Sequence, residues 1–321
     1  MKILFAGTPA NAAKSLELLS QTPFEIVGVL TRPDAPIGRK RVITPSPVAQ
    51  TASKLGLPTI KAAKVTPEVL SQIESLRPDI GVVVAYGALL SEAALAALPK
   101  GWINLHYSLL PDWRGAAPVQ HSLLAGDSET GVTLFQIDAG LDTGPIFGTV
   151  RTLIGPDETA GELLERLTVL GSTLLSEQLP RIASGIAVPL PQDQTPARLA
   201  AKISRDSAQV DWNKPGLEIE NQVRALNPEP MAHSVLAGTV IRLLRLRALS
   251  AAAIPQDLTL DPSHASSPGT VFGDKKRVFA WCGHDTAVEL LQVQPSGKRE
   301  MSAADWFRGL DNAPKRFETG R

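Results

Sequence analysis

The sequence predicts an α/β protein in which a doubly wound domain precedes a smaller β-barrel domain. Three observations predict this architecture. Residues 2–125 alternate apolar, strand-like runs with helix-like segments, which is typical of a sheet covered by helices on both faces. Beyond residue 130, two strand-like runs follow each other with no room for a crossover helix between them. After residue 238, short strand-like segments alternate with glycine, proline and charged turns, a pattern that favours a small barrel.

Apolar runs and helical periodicity predict the elements of the first domain. The run "PDIGVVVAYG" is rich in β-branched residues and typical of a parallel strand buried on both faces. Helices are expected where apolar residues recur at intervals of three and four, and Ser91 is a suitable N-cap for one of them. The predicted strands are 2–7, 24–31, 78–87, the strand ending near His106, 131–138 and 144–154. The predicted helices are 11–19, 45–56, 91–98, about 116–125 and 158–179.

The domain boundary is expected in the proline-containing stretch "AVPLPQDQTPARLA", residues 187–200. We place the first domain at 1–180, a linker at 181–204 and the second domain at 205–315. In the second domain we expect a helix near 215–226 and strands within 239–249, 269–273, 277–283 and 287–294. Residues 248–269 are expected to form a flexible surface loop.

Composition and charge exclude several classes of protein. The chain has 321 residues with 43% hydrophobic and 20% charged residues, and its 32 basic residues balance 32 acidic ones. These values are ordinary for a globular protein and give no argument for a nucleic-acid or membrane partner. Cys282 is the single cysteine, so a disulfide framework or a cysteine zinc site is excluded. The sequence has no signal-peptide or membrane-spanning pattern, so we expect a cytoplasmic protein without a membrane partner. Nothing in the sequence demands more than one chain, so we expect a monomer.

The stretch "GWINLHYSLLPDWRGAAP", residues 101–118, places two polar side chains in an apolar run. Asn104 and His106 are two residues apart, so on a strand they share one face. Ligands of open α/β sheets bind beyond the carboxyl ends of the strands, and His106 lies just before the chain turns at Pro111. An Asn amide and a protonated His could both donate to a developing oxyanion, each worth roughly 3–4 kcal/mol of barrier. The alternative for His106 alone is a hydrogen-bonded core residue.

The turn "DAGLDTG" offers two carboxylates that could act with His106. Asp142 is the better candidate than Asp138, because Gly140 and Gly144 leave its loop free to approach another backbone. A carboxylate beside His106 would raise the pKa of the imidazole and hold the ring in a charged or correctly oriented state. The alternative for either aspartate alone is a turn-forming role.

Taken together, these residues resemble the folate-dependent formyltransferases. The two central stretches, "NLHYSLLPDWRGAAPVQ" and "GVTLFQIDAGLDTG", carry most of the resemblance, which covers nearly the whole chain. The matching motifs in the first domain are "FAGTP" (5–9), "GRKRVITPSPV" (38–48) and "VVVAYG" (82–87). Those in the second domain are "DWN" (211–213), "RALNPEPMA" (224–232) and "LQVQPSGKREMSAADW" (291–306).

The resemblance implies a Rossmann-like formyltransferase domain followed by an OB-like barrel. It also implies transfer of a formyl group from 10-formyltetrahydrofolate to the α-amino group of methionyl initiator tRNA, without a metal. The implied catalytic residues are Asn104, His106 and Asp142. The implied folate-site residues are Ser108, Leu109, Leu110 and Pro111, and the implied tRNA-binding residues are Arg39, Lys40 and Arg41.

Four positions depart from the family pattern. Asn11 stands where phenylalanine is common, Tyr107 where a small residue is usual, Ser91 where proline is common, and Glu229 where an aromatic residue is usual. Because strand residues alternate, Tyr107 is expected to face away from His106 and to pack. The catalytic residues themselves are intact, so these departures bear on affinity more than on reaction type.

Three other functions fit the sequence less well than formyl transfer to initiator tRNA. The sequence disfavours a dehydrogenase, because "FAGTP" lacks the G-x-G-x-x-G spacing and no acidic residue closes the strand at 24–31. A sugar amine or small nucleotide could replace tRNA as the acceptor, although the second domain and the "GRKR" loop disfavour a glycinamide ribonucleotide. An inactive RNA-binding protein would not need all three of Asn104, His106 and Asp142.

Overall fold

The computed structural model describes residues 1–38, 40–193, 196–254, 267–310 and 316–318. It divides into two compact units, each with its own internal contacts. The first unit comprises Met1–Pro118, Glu129–Leu153 and Leu164–Ala200, and the second comprises Val119–Ser128, Ile154–Leu163 and Ala201–Arg321.

The elements of the first part of the chain follow the predicted alternation. In chain order they are β1 (Lys2–Gly7), α1 (Ala10–Leu19), β2 (Glu25–Thr31), β3 (Ala35–Ile37), β4 (Val42–Thr44), α2 (Pro47–Lys54), β5 (Thr59–Lys61), α3 (Pro67–Ser75), β6 (Ile80–Val84), α4 (Glu92–Ala96), β7 (Trp102–His106), β8 (Arg114–Gly115), α5 (Pro118–Leu124), β9 (Glu129–Gln136), β10 (Ile146–Leu153), α6 (Ala160–Ala183) and β11 (Leu199–Ala200). The predicted N-cap is confirmed, because the Ser91 hydroxyl accepts a hydrogen bond from the Ala94 amide at 3.3 Å.

Seven of these strands form one sheet in the order β10-β9-β7-β6-β1-β2-β5. Strands β1, β2, β5, β6 and β7 pair in parallel, whereas β9 pairs antiparallel with β7 and with β10. The turn between β9 and β10 lets these two strands pair as an antiparallel hairpin, which needs no crossover helix. The predicted doubly wound sheet is therefore confirmed, with the β9–β10 hairpin at one edge.

Strand β7 lies between parallel β6 and antiparallel β9 and carries the two polar residues of interest. Asn104 is opposite Phe135, and His106 is opposite Thr133. On the other face, the Leu105 side chain packs against the backbone of helix α6 at Gly171, where an added Cβ would lie 2.7 Å from a Leu105 methyl carbon. The face of β7 that carries Leu105 therefore packs against helix α6, and Asn104 and His106 lie on the opposite face.

Trp102, the first residue of β7, packs against Gly81 on β6, and this contact gives a stability prediction. A Cβ added at Gly81 on β6 would lie 2.1 Å from the Trp102 ring. That ring is fully buried and donates a 2.7 Å hydrogen bond to the Ala94 carbonyl, so it cannot move freely. We expect Gly81→Ala to lower the free energy of unfolding by about 2–3 kcal/mol through overpacking, measured by urea denaturation. Gly309→Ala is the control and should change stability little, because its Cβ would lie 3.4 Å from the Trp306 carbonyl oxygen, an ordinary contact distance.

The second unit is built on an antiparallel sheet. Its elements are the 3₁₀ helix Asp206–Ala208, α7 (Gly216–Ala225), β12 (His233–Leu236), β13 (Thr239–Ser250), the 3₁₀ helix Ala251–Ala253, β14 (Val271–Gly273), β15 (Val278–Trp281), β16 (Thr286–Pro295), β17 (Met301–Ser302) and α8 (Ala303–Arg308). The strand order is β12-β13-β16-β15-β14, with β17 paired to β16. This antiparallel half-barrel agrees with the predicted OB-like domain.

The second unit has its own core, centred on aromatic stacking. The Trp212 ring is fully buried and stacks on Phe317 at 4.8 Å between ring centroids. Its indole nitrogen donates a 2.9 Å hydrogen bond to the Ser234 hydroxyl, so the buried polar group is satisfied. Trp212, the central residue of the motif "DWN", is therefore part of this core.

Sequence patterns missed the elements that bury little. Helix α3 was not predicted; of its nine residues only Ile73 is buried, although Val69, Leu70 and Ile73 recur at helical spacing. Hairpin β3–β4 was not predicted either, and its residues are exposed or half-buried. Helix α6 continues to Ala183, beyond the predicted end at 179. Most of the predicted loop, residues 255–266, lies outside the described residues. Among the described helices, none is long and apolar enough to cross a membrane.

Candidate functional site

His106 ends strand β7, and both nitrogens of its ring face acceptor groups. Nε2 lies 3.0 Å from the Trp113 carbonyl oxygen. A carbonyl can only accept, so we assign the ring hydrogen to Nε2, which donates to Trp113. In the neutral ring Nδ1 then carries the lone pair, and it lies 3.8 Å from Oδ2 of Asp142. The ring is therefore oriented to take up a proton at Nδ1.

Asp142 is held in place beside His106 by the backbone of the opposite loop. Its Oδ2 accepts a 2.8 Å hydrogen bond from the Gly115 amide. The 3.8 Å separation from Nδ1 exceeds hydrogen-bond reach, so the carboxylate acts on His106 through its charge. The alternative, Asp138, forms a turn instead: its Oδ1 accepts hydrogen bonds from the Gly140 amide and the Thr143 hydroxyl.

Burial determines the charge of His106. The residue is only 5% exposed, and this burial lowers the pKa of the imidazole below its usual 6.5. The charge of Asp142 and the hydrogen bond to Trp113 both raise that pKa, but they do not offset burial. The predicted direction of the Asp142 effect is confirmed. Because the desolvation cost is larger, the structure favours the second of the two expected effects, in which the carboxylate orients the imidazole rather than keeping it charged.

Asn104 lies on the same face of β7, two residues before His106, and is half-buried. Within the described part of the chain, its side-chain amide makes no hydrogen bond. It can therefore donate to a group brought into the site from outside. Since Nε2–H of His106 is already committed to Trp113, Asn104 is the free donor of the pair.

The loop after β7 is a compact turn. The Ser108 side chain is fully buried, and its hydroxyl donates a 2.6 Å hydrogen bond to the Asp112 carbonyl. Thr133 on β9 bridges the same loop, donating to the Ser108 carbonyl and accepting from the Leu110 amide. Leu109 and Pro111 are partly exposed, whereas Leu110 is buried. The surface that this turn offers to a ligand is therefore mainly apolar.

The basic cluster lies at the tip of hairpin β3–β4. Lys40 and Arg41 are exposed, and Arg41 has a positive φ of 49°. Arg39 lies outside the described residues. The structure does not bring Lys40 or Arg41 into hydrogen bonding or ion pairing with the residues it describes around His106.

Two residues that depart from the family pattern lie close to one another. The Tyr107 phenol is buried on the face of β7 opposite His106, near the polar side chains of Asn11, Ser15 and Thr168. Burial raises the pKa of Tyr107, and the three polar neighbours lower it by a smaller amount. Tyr107 thus packs away from His106, as alternation predicts. Its ring is larger than the residue usual at this position, and it lies near Asn11 on α1, which is smaller than the phenylalanine that is common there.

Sequence patterns missed Gln192, which lies in the stretch predicted as a linker. Its side chain is 7% exposed, and its amide donates to the carbonyl oxygens of Asp142 and Gly144 at 2.7 and 2.8 Å. Its Oε1 accepts from the Arg114 guanidinium. No local pattern distinguishes this glutamine, because all its partners are distant in sequence.

Comparison with known proteins identifies relatives of both units. The family "Formyl transferase" matches residues 1–179, and "Formyl transferase, C-terminal domain" matches residues 202–311. The chain is 49% identical over 309 residues to the methionyl-tRNA formyltransferase of Arthrobacter sp. (strain FB24), covering 96% of this chain and 97% of that protein. It is 46% identical over 324 residues to the methionyl-tRNA formyltransferase of Acidothermus cellulolyticus, covering 99% and 100%.

A solved structure shows the same fold at low sequence identity. The N-formyltransferase from Helicobacter canadensis, in complex with folinic acid and dTDP-3-aminofucose, aligns with a TM-score of 0.66 and 19% identity. The alignment covers 90% of this chain and 98% of that one. The likeness therefore extends over both units.

Proposed function

The chain belongs to the formyl transferase family, and we propose that it formylates the α-amino group of methionyl initiator tRNA through Asn104, His106 and Asp142. It is a methionyl-tRNA formyltransferase that uses 10-formyltetrahydrofolate as formyl donor. The observation that carries the catalytic assignment is the placement of the His106 ring between the Trp113 carbonyl and the Asp142 carboxylate. This arrangement prepares Nδ1 to accept one proton.

The reaction replaces the bond between the formyl carbon and folate N10 by a bond to the methionine nitrogen. The amine must lose one proton, and N10 must gain one. His106 accepts the proton at Nδ1, directly or through a water molecule, and can return it to the leaving nitrogen. Asp142 stabilises the imidazolium that exists between these two transfers, because its negative charge lies 3.8 Å from Nδ1. The donor supplies an activated formyl carbon, and the chain supplies the proton acceptor.

Asn104 donates to the oxygen that becomes negative when the amine attacks. Removal of one such donor costs about 10²–10³ in kcat, so we expect Asn104→Ala to lower kcat by that factor with little change in thermal stability. The measurement is steady-state formylation of charged tRNA. Asn213→Ala, in an exposed turn of the second unit where Asn213 hydrogen-bonds Asp211, is the control. Equal kcat values for Asn104→Ala and wild type would exclude the donor role.

The turn after β7 is proposed to hold the folate. Leu109 and Pro111 offer apolar surface to the pterin ring, while Ser108 and Leu110 keep the turn compact through buried contacts. Arg39, Lys40 and Arg41 are proposed to meet the tRNA acceptor end, because basic residues at an exposed hairpin tip can reach phosphates.

The remaining organisation is also part of the proposal. Residues 1–180 form the catalytic domain, 181–204 connect the domains, and 205–315 form a domain that binds tRNA. The protein acts in the cytoplasm as a monomer, without a membrane partner. Size-exclusion chromatography with light scattering measures the oligomeric state.

The test of the proposed function compares acceptors. Wild-type protein is supplied with 10-formyltetrahydrofolate and one of three acceptors: charged initiator tRNA, charged elongator methionine tRNA, or a dTDP-linked amino sugar. Formyl transfer to the initiator tRNA supports the proposal. Consumption of folate with the amino sugar alone would move the acceptor to a sugar amine. Binding of tRNA without any formyl transfer would indicate a binding protein that retains the fold.

A further inference from the structure

We propose that Gln192 is a positioning residue that holds the two loops on either side of His106 in their reactive arrangement. The inference rests on the proposed function for the reaction that it affects. Gln192 belongs to a return segment, which we define as residues 190–193 and 196–200 of the described chain. This segment lies within the first unit, and its contacts reach both loops that supply partners to His106.

The Gln192 side chain bridges these loops with every hydrogen-bonding group of its amide. The two N–H groups donate to the carbonyl oxygens of Asp142 and Gly144, on one loop. Oε1 accepts from Nε and Nη2 of Arg114, on the other loop, at 3.2 and 2.5 Å. A primary amide has two donors and two acceptor sites, so Gln192 is saturated. A buried group of this kind fixes geometry, because any displacement of either loop leaves a polar atom unpaired.

Both loops need external support, because each holds a non-glycine residue in a left-handed conformation. Trp113, whose carbonyl accepts from His106, has a φ of 62°, and Asp142, whose carboxylate faces His106, has a φ of 53°. Such conformations cost on the order of 1–3 kcal/mol and persist where the surroundings enforce them. Gln192 bonds the Asp142 carbonyl directly and bonds Arg114, the residue next to Trp113. It therefore contacts one left-handed residue, Asp142, and the side chain of the residue that follows the other, Trp113.

The rest of the return segment reinforces the same two loops. Leu190 and Ile146 exchange backbone hydrogen bonds of 2.8 and 2.7 Å just beyond the Asp142 loop. Strand β11 pairs in parallel with β8, and a Cβ at Gly115 would lie 2.5 Å from the Ala200 carbonyl oxygen. The Arg198 guanidinium lies over the Trp113 ring at 4.2 Å from its centroid. Gln192 is the member of this segment whose side chain joins both loops, so it is the residue to test.

The test uses two substitutions of Gln192 and one matched control. Gln192→Ala removes the bridge, whereas Gln192→Glu retains an acceptor for Arg114 and removes both donors to the Asp142 loop. Gln72→Ala, on an exposed position of α3, is the control. For each protein, kcat and KM are measured, and His106 is titrated by NMR of the free protein, with His106→Ala assigning its signal.

We expect both Gln192 variants to lose about 100-fold in kcat, because small displacements of reacting groups have effects of this size. KM for folate and for tRNA should change by less than about threefold. In Gln192→Ala the pKa of His106 should fall below its wild-type value, since the carboxylate that raises it is no longer held nearby. Gln72→Ala should match wild type in each quantity.

Two results would overturn the inference. One is an unchanged kcat in the Gln192 variants. The other is a loss of kcat with an unchanged His106 titration, which would mean that the effect does not pass through Asp142. If Gln192→Ala does not fold, the kcat of Gln192→Glu alone decides, since the charge that glutamate adds itself shifts the His106 titration. If the wild type fails to formylate tRNA, the proposed function is wrong, while the His106 titration still tests the positioning role.

Discussion

Replacing His106 by alanine is expected to lower kcat/KM for formyl transfer by about 10³-fold. The reason is the loss of a proton acceptor, which contributes 10²–10⁴ where the acceptor is well placed. The remaining Asn104 donor and the bound substrates would still give some catalysis. The measurement is the initial rate of formylation of charged initiator tRNA at several concentrations of each substrate.

The pH dependence of the wild-type rate tests the role of His106 as a base independently of the substitution. His106 acts as a base only when neutral, so kcat/KM must fall as the pH drops through the pKa of His106 in the free enzyme. Burial places that pKa below 6.5. The α-amino group of the acceptor must also be neutral and ordinarily titrates at about 7.7–8.0. The acid limb that belongs to His106 is therefore expected as a second, steeper fall of the rate below pH 6.5.

A control histidine separates these effects from general damage. His284 is exposed in a turn of the second unit and has a φ of 57°. Asparagine tolerates this left-handed conformation, so His284→Asn should keep the wild-type rate and acid limb. A His106→Ala enzyme that retained more than about a tenth of the wild-type kcat/KM would contradict the role as base. His106 would then be a core residue that packs and binds the Trp113 carbonyl.

The placement of Asn104 and His106 could be predicted because it depends on strand geometry alone. Side chains on a strand alternate with a period of two, so two residues two apart share a face whatever the rest of the fold does. The choice of Asp142 over Asp138 followed from the glycines around it, since a loop with little steric restriction can approach another backbone. The structure shows that approach at the 2.8 Å contact between Asp142 and the Gly115 amide.

The charge of His106 and the role of Gln192 could not be predicted, and both depend on tertiary contacts. The pKa of His106 is a balance between burial and the charge of Asp142, and the sequence does not give the relative size of the two effects. Gln192 is fifty residues from Asp142 and seventy-eight from Arg114. Hydrogen bonds over such separations depend on how the chain returns to the sheet, which no local periodicity encodes.

Replacing Asp142 by asparagine is expected to lower kcat by about 10³-fold and to move the acid limb in a defined direction. Asparagine can still accept the hydrogen bond from the Gly115 amide, so the loop keeps its anchor. The negative charge beside Nδ1 is lost, and the imidazolium formed during proton transfer is no longer stabilised. Loss of a carboxylate that orients and stabilises a catalytic histidine costs about 10⁴ in kcat where it is hydrogen-bonded to the histidine. We expect a smaller loss here, because Asp142 acts on His106 through its charge at 3.8 Å.

The direction of the pH shift distinguishes this role from a structural one. Asp142 raises the pKa of His106 against the effect of burial, so the pKa of His106 in Asp142→Asn must be lower than in wild type. The acid limb of kcat/KM should therefore move to lower pH even though the rate at neutral pH falls. Asp138→Asn is the matched control, since the amide oxygen can still accept from Gly140 and Thr143 in that exposed turn. An acid limb that moved to higher pH in Asp142→Asn, or did not move, would show that the charge of Asp142 does not act on His106.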